Sequence, residues 1–130
     1  MPVRLNILDQ RDMAKRLRAF WTPTILFLDG EGVEHHRFMG YLPPDEYATQ
    51  IHFAKGREAF IQGRYQVALD SYATVVDRWP KSDAAPECLY WTGVCRFKLT
   101  KEEPKIAEAC KEVVRRYPNH LWARKLDFVK

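Results

Sequence analysis

The residues best suited to redox chemistry in this sequence are its three cysteines. Cys88, Cys95 and Cys110 all lie in the second part of the chain, and no two of them form a Cys-x-x-Cys motif. An odd number of widely spaced cysteines does not fit a secreted disulfide framework, a zinc knuckle or a local dithiol centre. Cys88 and Cys95 are seven residues apart, on one face of a predicted helix. We therefore interpret the three side chains as small apolar core residues.

The adjacent pair His35-His36 is the strongest candidate for a metal site. Successive side chains of a strand point to opposite faces, so the two imidazoles cannot bind one ion in regular geometry. His52 and His120 are remote from them in the sequence. We expect no metal and no other cofactor.

The carboxylates form no acid–base pair suited to catalysis. They fall in predicted helix caps and turns, where an acidic side chain stabilises the first helical turn or a tight loop. The set comprises Asp9, Asp12, Asp29, Glu31 and Asp45. We therefore do not expect an enzyme.

The first part of the chain alternates between strand and helix patterns. Residues 3–8 place apolar side chains on one face, as in a partly buried strand, and residues 11–20 have the spacing of a short amphipathic helix. Pro23 ends that helix, because the residue before a proline is driven out of the helical region. Residues 24–28 and 33–41 flank an acidic, glycine-containing turn and predict an antiparallel hairpin.

From Asp45 onward the pattern is helical, interrupted by turns that contain glycine or proline. We predict five helices, near residues 45–62, 64–79, 83–100, 104–117 and 119–129. Gly56 and Gly93 are 37 residues apart, and Pro80 and Pro118 are 38 apart. This period is typical of arrays of helical hairpins.

Charge is distributed unevenly along the chain. Residues 1–50 hold six Lys/Arg and seven Asp/Glu, whereas residues 51–130 hold fifteen and ten, so the net charges are −1 and +5. Acids are interspersed among the bases, which favours a solvated helical surface over a nucleic-acid-binding tail. No apolar run reaches the roughly 20 residues needed to cross a bilayer, and the amino terminus lacks a signal-peptide pattern. We expect no membrane partner and a cytoplasmic location, or a periplasmic one if a longer precursor exists.

Residues 49–82 resemble a tetratricopeptide repeat. Gly56 matches the small residue where the two helices cross, Ala68 the tight contact between them, and Pro80 the closing proline. Residues 86–118 look like a second, degenerate copy in which Ile106 replaces the close-contact alanine. The last predicted helix would then cap the array by covering its final apolar face.

The repeat resemblance implies a protein-binding groove lined by the first helix of each pair. By the repeat register, this groove includes Phe53, Arg57, Phe60, Tyr90, Val94, Phe97 and Lys98. The alternative is that the aromatic side chains are core residues and that only Arg57 and Lys98 are exposed.

Residues 3–50 look like the carboxy-terminal portion of a thioredoxin fold, through the order of their elements, Thr22-Pro23-Thr24 and the hairpin. The resemblance implies a cis peptide bond before Pro23 and a peptide-binding edge at Thr22 and Pro23. The half that would carry Cys-x-x-Cys is lacking, and residues 1–50 contain no cysteine, so we expect no disulfide exchange. The strand that should lie between the first two is lacking too. This predicts either a compact three-stranded sheet or strand pairing between two copies of the chain.

These patterns predict an α+β protein. A truncated thioredoxin-like β-α-β-β-α unit (1–50) would continue through one long helix into two tetratricopeptide-type hairpins and a capping helix (51–130). The predicted function is a non-catalytic protein–protein interaction module with a protein or peptide partner, and a homodimer through the open strand edge is one option. Two alternatives remain: a fragment of a thiol-disulfide oxidoreductase without its Cys-x-x-Cys half, and a basic nucleic-acid-binding tail, which net charge alone favours.

Overall fold

The computed structural model describes residues 2–6 and 8–128 of the chain. Its elements in chain order are α1 (Arg11–Arg16), β1 (Thr24–Leu28), β2 (Glu34–Met39), α2 (Pro44–Ile61), α3 (Tyr65–Arg78), α4 (Ala85–Thr100), α5 (Pro104–Arg116) and α6 (Leu121–Leu126). The α+β class is confirmed, and the predicted helices from residue 45 onward are present with ends shifted by no more than about three residues. No helix among the described residues has the length and apolarity needed to cross a membrane.

β1 and β2 form an antiparallel hairpin whose turn is organised by Asp29. One oxygen of its carboxylate accepts the backbone N–H groups of Glu31 and Val33, each at 2.9 Å. His35 has no partner residue in β1 and forms a β-bulge. The peptide bond before Pro23 is cis, as the thioredoxin resemblance implied.

Arg37 joins this hairpin to α1. Its guanidinium donates hydrogen bonds to the backbone carbonyls of Leu17 and Arg18 at 2.7 and 3.2 Å, and it also pairs with Glu34. A cation at the carboxyl end of a helix satisfies carbonyls that lack a partner within the helix. The helix predicted over residues 11–20 is shorter than expected, since it ends at Arg16 and Arg18 adopts a left-handed φ of 54°.

The strand predicted over residues 3–8 is wrong for the part that the structure describes, and Ile7 lies outside it. Residues 3–6 and 8 form no strand, and Val3 and Leu8 are 70% and 71% exposed. The side chain of Asn6 accepts the N–H of Leu8, and its backbone carbonyl accepts that of Gln10, both at 2.9 Å. These local hydrogen bonds take the place of strand pairing, because a strand without a neighbour has no partners for its backbone groups.

The predicted three-stranded sheet is consequently not formed within the described residues. β1 and β2 make a two-stranded sheet instead. The β-α-β-β-α unit thus lacks its first strand there, while the helix and the hairpin that follow are present.

α2 is shared between the two parts of the chain. It runs without interruption through residues 50 and 51, where the sequence suggested a division. The hairpin packs against its first half, since the ring of His36 lies 4.9 Å from that of Phe53 and the ring of Phe38 lies 5.6 Å from that of Tyr47. Its second half packs against α3, so one helix carries both the sheet and the helical array.

Two glycines allow the paired helices to approach closely. A Cβ atom at Gly56 would lie 2.7 Å from the ring of Tyr72. A Cβ atom at Gly93 would lie 2.2 Å from the Cβ of Ala109 and 3.0 Å from the carbonyl oxygen of Lys105. Real Cβ atoms do not come as close as 2.7 or 2.2 Å to their neighbours, so the predicted helix-crossing role of Gly56 is confirmed, and Gly93 has the same role between α4 and α5.

The main core runs from α2 through to α6 and contains the three cysteines. Cys88, Cys95 and Cys110 are all buried and form no disulfide. Burial raises the pKa of the Cys88 thiol far above its ordinary value, raises that of Cys95 to about 11, and raises that of Cys110 as well. Since the thiolate is the reactive form, these side chains act as apolar packing groups, as predicted.

We expect Gly93→Ala to destabilise the protein by about 1–3 kcal/mol, because the added methyl group would overlap α5. Alanine is a better helix former than glycine by about 1 kcal/mol. Helix propensity alone would therefore predict that the substitution stabilises the protein. Urea denaturation followed by circular dichroism should give a lower midpoint with an unchanged slope.

The control is Gly30→Ala, because a Cβ at Gly30 meets nothing within 4 Å. Its midpoint should match that of the wild type. A midpoint for Gly93→Ala equal to or above the wild-type value would contradict the tight packing of α4 against α5.

Candidate functional site

A cleft of about 220 Å³ opens where α2, the start of α4 and α6 meet. α2 and α4 are the first helices of the two helical pairs, α6 is the helix that follows those pairs, and the hairpin adds one wall. The residues that line the cleft are His36, Gln50, Phe53, Asp83, Ala84, Glu87, His120, Leu121 and Trp122.

Aromatic side chains support the apolar part of the cleft. Phe53 is only 4% exposed and lies 5.8 Å, ring to ring, from Tyr72 in the core. On the opposite side, the ring of Trp122 stacks on that of Tyr90 at 5.4 Å. Leu121 is 58% exposed beside Trp122 and forms part of the rim. The cleft thus has a fixed aromatic base and one accessible aliphatic side chain.

His36 forms the wall that comes from the hairpin. Its Nε2–H donates to the side-chain oxygen of Gln50 on α2 at 2.5 Å, and its ring stacks on Phe27 at 5.8 Å. Burial lowers the pKa of His36, and the nearby Arg57 lowers it further, although the bond to Gln50 opposes both effects. The imidazole is therefore neutral near neutral pH and serves as a packed polar wall.

One end of the cleft is acidic. Glu87 lies in the first turn of α4, and its carboxylate accepts the indole N–H of Trp91 at 3.3 Å. Asp83 lies 3.0 Å from a ring nitrogen of His120, and the carboxylate of Glu46 accepts the backbone N–H of Asp83 at 3.0 Å. An apolar base beside two carboxylates suits a ligand that carries an apolar group next to a cation.

Among the seven groove residues named by the repeat register, Phe53 lines the cleft. Arg57 is exposed, with its guanidinium 5.9 Å from the ring centre of Phe53. Val94 is buried, and Phe60 and Tyr90 each pack 5.3 Å from the ring of Trp91.

The other two residues of that set lie further along α4. Phe97 is half-buried, and the ammonium group of Lys98 is 6.0 Å from the ring centre of Tyr65. The structure therefore does not bring the seven residues together in one cleft.

The remaining lining residues were not identified from the sequence. His36 reaches the cleft because the hairpin docks on α2. His120, Leu121 and Trp122 reach it because α6 packs against α5 and α4. The local signal that could have indicated them is the apolar pair Leu121-Trp122, which follows the turn residues Pro118-Asn119 after one histidine. From the sequence, the position of Glu87 in the first turn of a predicted helix indicates a favourable interaction with the helix dipole and gives no sign of a binding site.

Thr22 and Pro23, the predicted peptide-binding edge, are not part of the cleft. Thr22 is exposed and Pro23 is half-buried. The hydroxyl of Thr24 donates to the backbone carbonyl of Trp21, which fixes the start of β1. Trp21 itself is 62% exposed.

The two adjacent histidines have separate partners. His35 Nε2 lies 2.9 Å from the carboxylate of Asp29, and this hydrogen bond is the main cause that lowers the pKa of Asp29. His36 instead contacts α2. Within the described residues, no three His, Cys, Asp or Glu side chains converge so as to hold a metal ion.

Comparison with known families agrees with the thioredoxin resemblance and with the second of the two predicted repeat copies. Residues 2–55 match the model of a thioredoxin-like domain, and residues 87–120 match that of a tetratricopeptide repeat. No curated protein and no solved structure matches the chain. The chain thus carries a thioredoxin-like domain followed by tetratricopeptide-type helices, and the first match ends inside α2.

We expect the protein to lose stability as the pH falls below about 6.5, the ordinary pKa of histidine. The pKa of His36 is lower in the folded protein than in the unfolded chain, so the unfolded chain binds a proton more readily. The neutral His36 therefore contributes to the free energy of unfolding above about pH 6.5, and this contribution is lost as the pH falls below that value. Burial lowers the pKa of His52 too, with the same sign. Urea midpoints measured at about pH 7.5 and about pH 5.5 should show the loss.

His36→Phe is the diagnostic variant, because it retains an aromatic ring against Phe53 and cannot titrate. The difference between its two midpoints should be smaller than that of the wild type. An equal difference in the two proteins would show that His36 is not the group responsible.

Proposed function

We propose that this chain is a non-catalytic protein-interaction module that binds a peptide in the cleft between α2, α4 and α6. Tetratricopeptide repeats bind protein partners, and the family match over residues 87–120 supports such a role. One observation carries the proposal: the cleft combines an aromatic base with an acidic end, at the point where α2, α4, α6 and the hairpin meet.

The lining residues indicate the chemistry of the peptide. Leu121 and Trp122 offer apolar surface beside the buried ring of Phe53, and burial of an apolar or aromatic side chain there would supply most of the binding free energy. Glu87 and Asp83 lie at the same cleft and favour a neighbouring Lys or Arg. The preferred ligand is therefore an extended segment with an apolar residue close to a basic one.

The non-catalytic part of the proposal rests on the thiols. Residues 1–50 contain no cysteine, so no thiol from that part of the chain can lie beside Pro23. The three thiols of the helical part are buried, with pKa values raised by that burial. Disulfide exchange begins with attack by a thiolate, and these groups supply almost none near neutral pH. Three buried thiols without a disulfide also fit a reducing compartment, and we propose a cytoplasmic location.

Selection of a random peptide library on the wild-type chain tests the binding proposal. Enriched peptides should carry an apolar residue near Lys or Arg. Leu121→Lys and Glu87→Lys should each weaken the binding of an enriched peptide by about tenfold, because they remove the apolar rim and reverse the charge of the acidic end. Isothermal titration calorimetry gives the dissociation constants.

The matched control is Val67→Lys, on α3 and 46% exposed, which should leave the affinity within about twofold of the wild-type value. Peptides that bind the wild type and both cleft variants equally well would exclude the cleft as the binding site. Steeply salt-dependent binding of single-stranded DNA, with no peptide enriched, would favour the nucleic-acid alternative instead.

Reduction of insulin disulfides by dithiothreitol tests the absence of catalysis. The rate with this chain should equal the rate without protein, because the buried thiols cannot attack an external disulfide. The Cys88→Ala, Cys95→Ala and Cys110→Ala variants serve as references. A rate clearly above the blank that one of these substitutions abolishes would contradict the non-catalytic proposal.

A further inference from the structure

Two rows of side chains continue from the cleft along α2 and α4. Phe53 and Glu87 line the cleft itself, and farther along the same two helices the ring of Phe60 lies 5.3 Å from that of Trp91. α2 and α4 therefore run side by side in the same direction. Residues three, four or seven apart share one face of a helix, so register extends each row. The row on α2 is Phe53, Arg57 and Phe60, and the row on α4 is Glu87, Trp91 and Lys98.

The surface between the two rows, which we call the α2–α4 groove, has an aromatic floor. Phe60 and Trp91 are both half-buried, so part of each ring is accessible. The ring of Tyr65, at the start of α3, is half-buried too and lies 5.3 Å from that of Phe60. An extended peptide that leaves the cleft along the two helices would therefore continue to contact aromatic rings.

The charges along the α2–α4 groove change sign. Glu87 belongs to the acidic end of the cleft. The guanidinium of Arg57 lies 5.9 Å from the ring centre of Phe53, and the ammonium of Lys98 lies 6.0 Å from that of Tyr65. Each charge is thus placed by a contact within the groove, and the part of the groove beyond the acidic end is basic.

Neither Arg57 nor Lys98 has a carboxylate partner in the part of the chain that the structure describes. The ion pairs found there belong to other side chains, namely His35, Arg37, Lys105, Arg115 and His120. Aromatic rings hold the two cations in place without neutralising them. Their positive charge is therefore available to acidic side chains of a ligand.

The charge of Arg57 acts inside the cleft as well. Burial is the main cause that lowers the pKa of His36, and Arg57 lowers it further, whereas Glu87 raises it. Opposite charges on α2 and α4 thus act on the same wall of the cleft. Arg57 therefore lies close enough to the cleft to act on a ligand bound there.

We propose that the peptide bound in the cleft continues along the α2–α4 groove and carries acidic residues that pair with Arg57 and Lys98. This inference rests on the proposed function, because it concerns the same ligand. The cleft selects the apolar and basic residues of the peptide, and the groove selects its acidic ones. The ligand is therefore a segment of mixed charge, with its basic and acidic residues separated along the sequence.

The helix geometry gives the spacing of those residues. Lys98 is eleven residues after Glu87, which corresponds to about 16 Å along α4. An extended chain covers that distance in about five residues, so the acidic residue at Lys98 lies about five positions from the basic one. Arg57 is four residues after Phe53, about 6 Å along α2. Its acidic partner therefore lies about two positions from the apolar residue.

The peptide library selected on the wild-type chain gives the first test. Enriched peptides should carry Asp or Glu about five positions from Lys or Arg, in addition to the apolar residue. Arg57→Glu and Lys98→Glu should each raise the dissociation constant of such a peptide by about tenfold, because each replaces an attraction by a repulsion. Isothermal titration calorimetry measures the constants.

The matched control is Arg96→Glu. Arg96 is exposed on α4 but lies outside the row of Glu87, Trp91 and Lys98, and the substitution makes the same change of charge. Its dissociation constant should stay within about twofold of the wild-type value.

An exchange of charges tests whether the pairing is direct. A peptide whose acidic residue beside the apolar one is replaced by lysine should bind the wild type about tenfold more weakly. The same peptide should bind Arg57→Glu more tightly than it binds the wild type, which a loss of folding could not produce.

The outcomes separate this inference from the cleft proposal. Binding that Leu121→Lys and Glu87→Lys weaken, but Arg57→Glu and Lys98→Glu do not, would overturn the groove and leave the cleft as the binding site. Enriched peptides without acidic residues would overturn it as well. Binding that none of these four substitutions alters would overturn both proposals.

Discussion

The contact between His36 and Phe53 joins the two parts of this molecule. It places a polar ring from the hairpin against the middle of α2, and α2 in turn contacts the core through the ring of Tyr72. From Tyr72 the aromatic contacts continue to Trp91 on α4 at 6.2 Å. The sheet and the helical array therefore share one packed aromatic path. The buried core belongs to the helical array, and the hairpin joins it through Phe53.

This path depends on how closely the helices can approach. Gly56 lets the ring of Tyr72 rest directly on the backbone of α2, and Tyr72 is 1% exposed as a result. Burial raises the pKa of its phenol, so the group stays neutral and packs as an aromatic ring. Any larger residue at position 56 would push α3 away from α2. α4 packs against α3, so the cleft that its first turn lines depends in part on how closely α3 approaches α2.

Local signals accounted for most of the elements and failed where a tertiary partner was decisive. Helix period, glycines and prolines were sufficient for α2 to α6, and the apolar run before Asp29 was sufficient for β1. Residues 3–8 have the alternation of a strand but gain no bonded neighbour, so the pattern alone was not enough. Phe53 was predicted because repeat register places it on a first helix. His36 and Trp122 could not be predicted, because they reach the cleft only through the tertiary packing of the hairpin and of α6.

The wall of the cleft depends on the hairpin as a whole. β2 supplies His36 to that wall, and β1 is directly bonded to β2. A hairpin of two strands has little stability by itself, so the contacts that dock it on α2 also hold the wall in place. The side chain of Gln50 on α2, which accepts the hydrogen bond from His36, is the polar contact of that docking.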